Sequence, residues 1–495
     1  MRAKRPAQHR TAHPVMSKKL SSAPCWQAIA LSFLVGCATS PKNESERLPL
    51  DLPSSFDASA ASRPFAGEAC WQDFDDPRIT DLVREALLQN FDLQAAAARM
   101  ETAGAGQRMT GAAQYPSLGL NAGAGERNNM VELPGGILQR NTLEDYSIGL
   151  SLAWEIDLWG KVRNRTQAAI ADFEAEQANY QALRFSLAAN TIKSWFAAVE
   201  AELQLELAQE TVRVFEHNLL VVESSFQRGI PDRALDVRLT RANLEGARGT
   251  LALRQRLRDT SGRSLETLLG RYPADSILVT TNLPQLIHEV PPGLPAELLE
   301  RRPDLVAAER RLAGTLERAK VARKDLLPTI SLTSSIGQRS TELRDLMDFE
   351  QLLWSVAGNL TQPVFQAGRI IAGIDLADAN TRQALATYAQ AVLEAFREVE
   401  SFLAAEDYLK NQQEALEKAA TESIAADQLA WQQYQRGLVD IITVLESQRR
   451  SFNAQSSLLS VTYERLANRV NLYLALGGDF GTTLPLEARN NTENP

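Results

Sequence analysis

The chain has 495 residues, is 44% hydrophobic but only 6% aromatic, and carries a formal net charge of −9. Its acidic balance, with a pI near 5.3, offers no basic face to nucleic acid. Of the four histidines, His217 and His288 lie outside the leader, and neither has metal-ligand spacing to the other or to a cysteine. No Gly-rich phosphate loop or nucleophile–base pair is present, so the sequence argues against an enzyme and predicts no metal site.

The first 36 residues are typical of a secretory signal peptide. Lys18 and Lys19 form a positive region, and the apolar stretch 29–35 is too short to span a bilayer. The run Leu34-Val35-Gly36-Cys37 resembles the bacterial lipoprotein signal, in which the cysteine becomes the lipidated N-terminus. We therefore expect a diacylglycerol and an N-acyl chain such as palmitate on Cys37, with an ordinary signal peptide as the alternative. Met1 and Met16 are both candidate start residues.

The mature chain contains an internal duplication. Residues of the first unit recur 212 positions later without a gap, and residues further along recur 208 positions later: Asp92 as Asp304, Arg99 as Arg311, Pro116 as Pro328, Gly160 as Gly368, Tyr180 as Tyr388 and Arg228 as Arg436. We predict a lipidated tether over 37–70, a first repeat over 71–290, a second repeat over 291–478 and a disordered tail over 479–495.

Long helices are predicted in both repeats. Asp76-Pro77 is a helix start signal, and we expect one helix from there to about residue 113, with a counterpart starting near Pro295 or Pro303. Proline-free helical patterns then run over 160–228 and 368–436, each on the order of 100 Å long at about 1.5 Å per residue. After a glycine turn, each continues as a second helix, over 232–269 and to about 476, which predicts two helical hairpins.

Between the helices the hydrophobic period changes to two. The pattern is strongest over 147–156 and recurs more weakly over 118–124, 330–336 and 354–360. Each segment is about ten residues long, the length of a tilted membrane strand, with polar loops expected near 127–143 and 337–351. A soluble hairpin is the alternative. Because unpaired strand edges are not tolerated in lipid and the smallest usual barrel has eight strands, four strands require at least two copies of the chain.

Four motifs spread over most of the mature chain carry a resemblance to a known family: residues 154–161 (WEIDLWGK), 299–304 (LERRPD), 362–369 (QPVFQAGR) and 475–478 (ALGG). Together they resemble the NodT-type outer-membrane efflux lipoproteins, relatives of TolC. The resemblance implies a mainly α fold with membrane β-strands, assembled as a homotrimer. It would form a 12-stranded β-barrel continued by a periplasmic α-helical barrel, the exit duct of a tripartite pump with a periplasmic adaptor and a proton-driven inner-membrane transporter.

The same resemblance places function at the helical tips. By position in the family pattern, Ile442 is the apolar residue and Glu446 the acidic residue of the pore constriction. Four residues apart, they share a helix face. Thr443 stands where relatives often carry a second aspartate, which leaves at most one acidic ring from this segment. The alternative is that Glu446 lies on a solvated face and Ile442 in the core. The turns at Arg228-Gly229 and Arg436-Gly437 are the predicted adaptor-docking sites, or simply helix caps.

Two other functions fit part of this pattern. The duct of a protein or peptide secretion system would have the same fold with a different cargo. A periplasmic coiled-coil lipoprotein acting as a spacer would share the helices but has no need of an alternating strand at 147–156. The sequence favours a passive duct for small molecules in the outer membrane and names neither the cargo nor the partner pump.

Overall fold

The structure is a computed structural model, and it describes residues 42–44, 47–50, 56, 74, 76–228, 234–277, 279, 282–286, 290, 297–348 and 352–478. Cys37, the signal peptide, Gly229 and the 479–495 tail therefore lie outside the described residues. The described part of the predicted tether packs against the helices. The backbone N–H of Glu44 donates to Glu309 at 2.6 Å, and the buried Phe56 ring contacts Phe396 edge-on.

The chain alternates helices with strand pairs, as predicted. The elements in chain order are α1 Pro77–Gln89, α2 Phe91–Ala112, β1 Ser117–Leu133, β2 Ile137–Ile156, α3 Lys161–Gln227, α4 Ala234–Leu268, α5 Leu298–Arg301, α6 Pro303–Lys324, β3 Thr329–Ser340, β4 Leu353–Thr361, α7 Arg369–Gln435 and α8 Ile441–Ala475. A short 3-10 helix, Leu343–Met347, lies between β3 and β4.

The prediction of a single helix up to residue 113 is wrong, because the structure has two helices there, separated at Asn90. The Asn90 side chain accepts a hydrogen bond from the backbone N–H of Leu93 at 3.1 Å and donates one to the Leu268 carbonyl at 3.0 Å. It therefore caps a new helix, α2, while holding that helix start against the end of α4. A cap of this kind has no hydrophobic periodicity, so the sequence pattern does not indicate the break.

The four strands form one antiparallel sheet in the order β1-β2-β3-β4. β1 and β2 are 17 and 20 residues long and continue through most of the segment 127–143, so the loop predicted there is wrong. Polar cross-strand pairs extend this hairpin, such as Asn128 donating to Thr142 at 3.1 Å. The turn is confined to 134–136, where two glycines with positive φ allow the tight reversal.

One face of the sheet is apolar across all four strands. Leu120 is paired with Leu150, Leu150 with Ile336, and Ile336 with Trp354, and directly paired residues point to the same face. One residue further along each strand, the side chains on the opposite face are small and polar: Gly119, Ser151, Ser335 and Ser355. From Tyr146 to Ile156 this apolar band rises roughly 33 Å along the strand, or about 25 Å in height at a membrane-barrel tilt near 40°.

The long helices agree with the sequence predictions. α3 and α7 are both 67 residues, roughly 100 Å at about 1.5 Å per residue, and α4 and α8 are both 35 residues. The main core lies where these helices meet α1 and α6, and its largest fully buried side chains include Trp195, Phe196, Tyr388 and Leu305. None of the described helices combines the length and the apolar character needed to cross a membrane.

The duplication is visible as a repeated contact in this core. In the first repeat Gly270 lies against Gln89, and a Cβ on Gly270 would approach the Gln89 carbonyl oxygen to 2.6 Å. In the second repeat Gly477 lies in the same way against Arg301. Just beyond that contact the Arg302 guanidinium donates to the Ala475 carbonyl at 3.1 Å. The motifs at 299–304 and 475–478, far apart in sequence, therefore meet in one contact.

The motif at 154–161 forms the junction between β2 and α3. Asp157 accepts hydrogen bonds from the backbone N–H groups of Val162 at 2.9 Å and Arg163 at 2.8 Å, which supply acceptors for the first turn of α3. The Trp159 indole donates to the Pro328 carbonyl at 2.7 Å, at the start of β3. Gly160 has a φ of 71°, which favours glycine. The motif thus fixes where β2 ends and α3 begins, and it ties this junction to the start of β3.

Candidate channel constriction at the helical tips

The turn between α7 and α8 is a glycine-capped helix end. The backbone N–H of Leu438 donates to the Gln433 carbonyl at 2.9 Å, and that of Gly437 to Tyr434 at 2.9 Å. Gly437 has a φ of 75°, and these two bonds with a left-handed residue form a Schellman motif. The sequence predicts a glycine turn here, and the structure confirms it.

α8 begins at once after this turn, capped by Asp440. The Asp440 carboxylate accepts from the Thr443 N–H at 2.9 Å and from its hydroxyl at 2.8 Å. These hydrogen bonds, chiefly that from the backbone N–H, lower the pKa of Asp440 below its usual value. Thr443 thus contributes to the helix cap.

The orientation of α8 is set by the residues it buries. Ile441, Val444 and Leu445 are at most 6% exposed and pack with residues of α3, α4 and α7 in a small cluster with Val222, Val237, Ala430 and Tyr434. Because these positions face inward, Ile442 lies on the outside and is 51% exposed. Ile442 is therefore not a core residue of the single chain.

Ile442 and Glu446 line one groove between α7 and α8. The groove also contains Asp440, Thr443 and Ser447 from the start of α8 and, across from them, Glu422 and Ser423 of α7. The shared helix face expected from their four-residue spacing is present. The structure of one chain does not bring three copies together, so the role of these residues in a pore constriction stays a prediction.

Glu446 is held by two arginines of its own helix. Arg449 approaches its carboxylate to 2.7 Å and Arg450 to 2.8 Å. Hydrogen bonds from Arg450 first and Arg449 second lower the pKa of Glu446, so the carboxylate stays ionised below its ordinary titration range. Each chain therefore carries one acid beside two bases at this position. The Glu-to-Arg spacings of three and four residues are the sequence signal that points to this pairing.

The other predicted tip is only partly described. Arg228 caps the end of α3, and its Nε donates to the Ser224 carbonyl at 3.2 Å. Gly229 lies outside the described residues. The two tips are also joined by packing, because Val222 of α3 and Ile441 of α8 belong to the same buried cluster.

A buried polar contact between α3 and α8, close to the tip, was not predicted. Asn218 of α3 donates to Gln448 of α8 at 2.7 Å, and both side chains are at most 2% exposed. Asp427 of α7 lines the same pocket, and burial raises its pKa above the usual value. No periodic signal marks these residues, since isolated polar side chains in a helical pattern are ordinarily solvent-facing.

We expect Glu446→Gln to reduce any preference of the open duct for cations. The substitution removes one carboxylate per copy and leaves the charges of Arg449 and Arg450 uncompensated, which favours anions in a narrow pore. The check is the reversal potential of purified protein in a planar bilayer under a KCl gradient. Glu414→Gln, an equal charge change at an exposed position of α7, is the matched control. Equal reversal potentials for both variants would place Glu446 outside the narrow part of the pore.

The described residues contain no grouping of three or more His, Cys, Asp and Glu side chains arranged to hold a metal ion. The features that stand out in this part of the chain are instead the two-faced sheet, the paired long helices and the capped tips.

Comparison with known proteins agrees with the family resemblance seen in the sequence. The family model described as "Outer membrane efflux protein" matches residues 82–271 and 294–478. Among known proteins, the chain is 31% identical to the probable outer membrane lipoprotein SilC of Salmonella typhimurium, over 91% of this chain and 98% of SilC. It is 30% identical to the toluene efflux pump outer membrane protein TtgI of Pseudomonas putida, over 92% of this chain and 98% of TtgI.

The fold is similar to that of solved outer membrane channels. The open-state MtrE outer membrane channel of Neisseria gonorrhoeae superposes with a TM-score of 0.78 at 30% identity. That match covers 89% of this chain and 97% of MtrE, so the likeness includes the sheet and the long helices together.

Proposed function

Because this chain belongs to the outer membrane efflux protein family, we propose that three copies form the exit duct of a tripartite efflux pump. Its place is the outer membrane, with the helices extending into the periplasm. In this proposal the four strands of each copy contribute to a 12-stranded barrel, and the long helices continue it as an α-helical barrel. The duct conducts passively, and the energy comes from the inner-membrane transporter.

The observation that best supports the proposal is the difference between the two faces of the four-stranded sheet. In the row of Leu120, Leu150, Ile336 and Trp354 its apolar face extends from β1 to β4, which fits contact with lipid, while the row of Gly119, Ser151, Ser335 and Ser355 on the other face is small and polar. Within the described residues β1 and β4 have a strand neighbour on one side only. Open edges cost several kcal/mol per unpaired backbone group in lipid, so such a sheet must close with further copies.

The helices support the same conclusion. α3 and α7 are equal in length and equivalent in the repeat, yet α3 has 24 buried residues and α7 has eight. α3 packs against α6 and α8 of the second repeat, whereas the described chain offers α7 no comparable packing on α2 and α4. A further copy would supply those missing helices.

The partners follow from the position of the tips. We place the docking of a periplasmic adaptor at Arg228, Gly229, Arg436 and Gly437. The described support is the glycine-capped turn at Arg436 and Gly437, which joins α7 to α8. The adaptor would connect the duct to a proton-driven inner-membrane transporter, which selects the cargo. Ile442 and Glu446 would narrow the pore just inside the tips. No cofactor is required for passive conduction.

The remaining proposals concern the ends of the chain. A signal peptide over 1–36 is removed, Cys37 carries the diacylglycerol and N-acyl lipid, and 37–70 tethers the lipid to the repeats. The relative SilC is named as a probable lipoprotein, which supports this assignment. The two repeats extend over 71–290 and 291–478, followed by a tail over 479–495.

Two other functions are left open by the sequence. A structural spacer does not need the two-faced sheet, so the sheet argues against it. A duct for protein or peptide secretion keeps the same architecture, and only the identity of the partner pump separates it from small-molecule efflux. The similarity to TtgI, named for toluene efflux, favours small molecules.

The test is a photo-cross-linking residue placed at Arg436, activated in cells of the native host, with mass spectrometry of the captured protein. We expect the adaptor of a proton-driven efflux pump. An adaptor of an ATP-driven exporter would contradict small-molecule efflux and favour secretion. Capture of no periplasmic adaptor would contradict the duct itself. A gel of unheated samples, expected to show a trimer band that heating removes, checks the assembly independently.

A further inference from the structure

The internal repeat specifies how one copy contacts the next. The hairpins of the two repeats have the same register: shifting the pair Ser117 and Ala153 by 212 and 208 residues gives Thr329 and Thr361, the observed pair. The same shifts relate α2 to α6 and α3 to α7. The equivalence therefore holds in space and not only in sequence.

The two repeats of one chain meet along what we call the inner seam, formed by β2 with β3 and α3 with α6. It is held by several ion pairs between antiparallel helices. Lys161 lies 2.5 Å from Asp325, Glu174 lies 3.2 Å from Arg310, and Asp172 pairs with Arg318. Charged side chains flanking α3 thus reach partners on α6.

The equivalent surfaces at the two ends of the chain are β4 with α7 and β1 with α2. Within the described residues these surfaces make no contacts equivalent to those of the inner seam. We call the interface that they would form between neighbouring copies the outer seam. A single position illustrates the difference. Ala168 of α3 is 3% exposed at the inner seam, and its equivalent in α7, Leu376, is 63% exposed. What is buried at the inner seam is open at the outer one.

Four charged residues on the outer-seam helices lack ion-pair partners in the described part of the chain: Asp375 and Arg382 on α7, Glu101 and Arg108 on α2. All four are exposed. Asp375 precedes Arg382 by seven residues, and Glu101 precedes Arg108 by seven residues. Because the two helices of a seam run antiparallel, the equal spacing of seven residues lets Arg382 face Glu101 of the partner subunit and Asp375 face Arg108 of the partner subunit at the same time.

The repeat shift places these residues at the right height. Moving the inner-seam pair Glu174 and Arg310 to the outer seam gives Arg382 facing Ala98 of the partner subunit. Glu101 of the partner subunit lies one helical turn from that alanine, within reach of an arginine side chain. In addition, the inner-seam equivalent of Arg382 is Glu174, and Glu174 contacts Arg310 on the facing helix.

We propose that two ion pairs close each outer seam, Arg382 with Glu101 of the partner subunit and Asp375 with Arg108 of the partner subunit. The inference rests on the proposed trimer and adds its register. The same shifts turn the strand pair Leu152 and Ser334 into Leu360 facing Ala122 of the partner subunit, both on the apolar face. Helices and strands thus give one consistent alignment.

The test is cross-linking of cysteine pairs by a short bis-maleimide, in a Cys70→Ser background with the lipoprotein cysteine kept. Arg382→Cys with Glu101→Cys, and Asp375→Cys with Arg108→Cys, are expected to give covalent dimers and trimers. The matched controls exchange partners, Arg382→Cys with Arg108→Cys and Asp375→Cys with Glu101→Cys, and are expected to give several-fold less product because they are two helical turns out of step.

A charge exchange tests the contribution to assembly. Arg382→Glu with Asp375→Arg is expected to lower the temperature at which the trimer band dissociates, and adding Glu101→Arg with Arg108→Glu is expected to restore it. Preferential cross-linking of the exchanged controls in an intact trimer would overturn the proposed register and leave the trimer standing. Cross-linking by neither set together with the absence of a trimer band would overturn the trimer as well.

Discussion

Replacing Gly270 with alanine should destabilise the folded chain by roughly 2–4 kcal/mol, among the larger effects of a single methyl group. Gly270 has a φ of 73°, where an L-residue costs about 1–2 kcal/mol. The new Cβ would also lie 2.6 Å from the Gln89 carbonyl oxygen, which is too close for carbon and oxygen. Because Gln89 and Asn90 join α1 to α2, relief of the overlap must move the start of α2 away from α4.

The measurement is thermal unfolding of the purified protein in detergent, followed by circular dichroism at 222 nm. Gly246→Ala in α4 is the control, since no atom lies within 4 Å of its Cβ and alanine favours a helix over glycine by about 1 kcal/mol. We expect the two alanine variants to shift the midpoint in opposite directions. An unchanged midpoint for Gly270→Ala would show that the contact at Gln89 relaxes without cost.

How much of this structure the sequence predicts depends on the kind of signal. Proline-free helical periods of nearly 70 residues and glycine turns predict α3, α7 and the α7–α8 turn close to their observed bounds. The repeat makes the second unit predictable from the first. The alternation over 147–156 locates β2, because an apolar residue at every second position is typical of a strand with one apolar face.

The errors fall where polar contacts replace periodicity. The outer half of the β1–β2 hairpin mixes polar and apolar residues on both faces without a period of two, although its residues pair across the strands. The break at Asn90 depends on a hydrogen bond to Leu268, 178 positions away in sequence. A rule based on local hydrophobicity has no access to either contact.

For the residues at the helical tips, too, local spacing predicts some features and tertiary packing decides the others. That Ile442 and Glu446 share a groove follows from a spacing of four residues, and the structure agrees. That Ile442 is exposed while Ile441 is buried depends on packing against α3 and α7, which no single-helix pattern decides. The arginines beside Glu446 are visible in the sequence, but their effect on its charge becomes evident only with the distances between the side chains.

Gly437→Phe should abolish export while leaving folding and trimer formation intact. A Cβ at residue 437 would meet no atom within 4 Å, so the fold bears only the cost of a left-handed L-residue, about 1–2 kcal/mol. The new ring would project from the tip at which we place the adaptor. The docking proposal therefore predicts that a large side chain at residue 437 blocks binding of the adaptor but has little effect on the stability of the fold.

Gly437→Asn separates the two effects, because asparagine tolerates the left-handed conformation and adds only a small side chain. We expect it to retain export and to support photo-capture of the adaptor from Arg436, whereas Gly437→Phe should lose both with an unchanged trimer band. Export is read as the susceptibility of the native host to a panel of toxic solvents, drugs and metal salts. Normal susceptibility with Gly437→Phe would mean that this turn caps a helix without touching a partner, and adaptor docking would then have to be sought at the Arg228 tip.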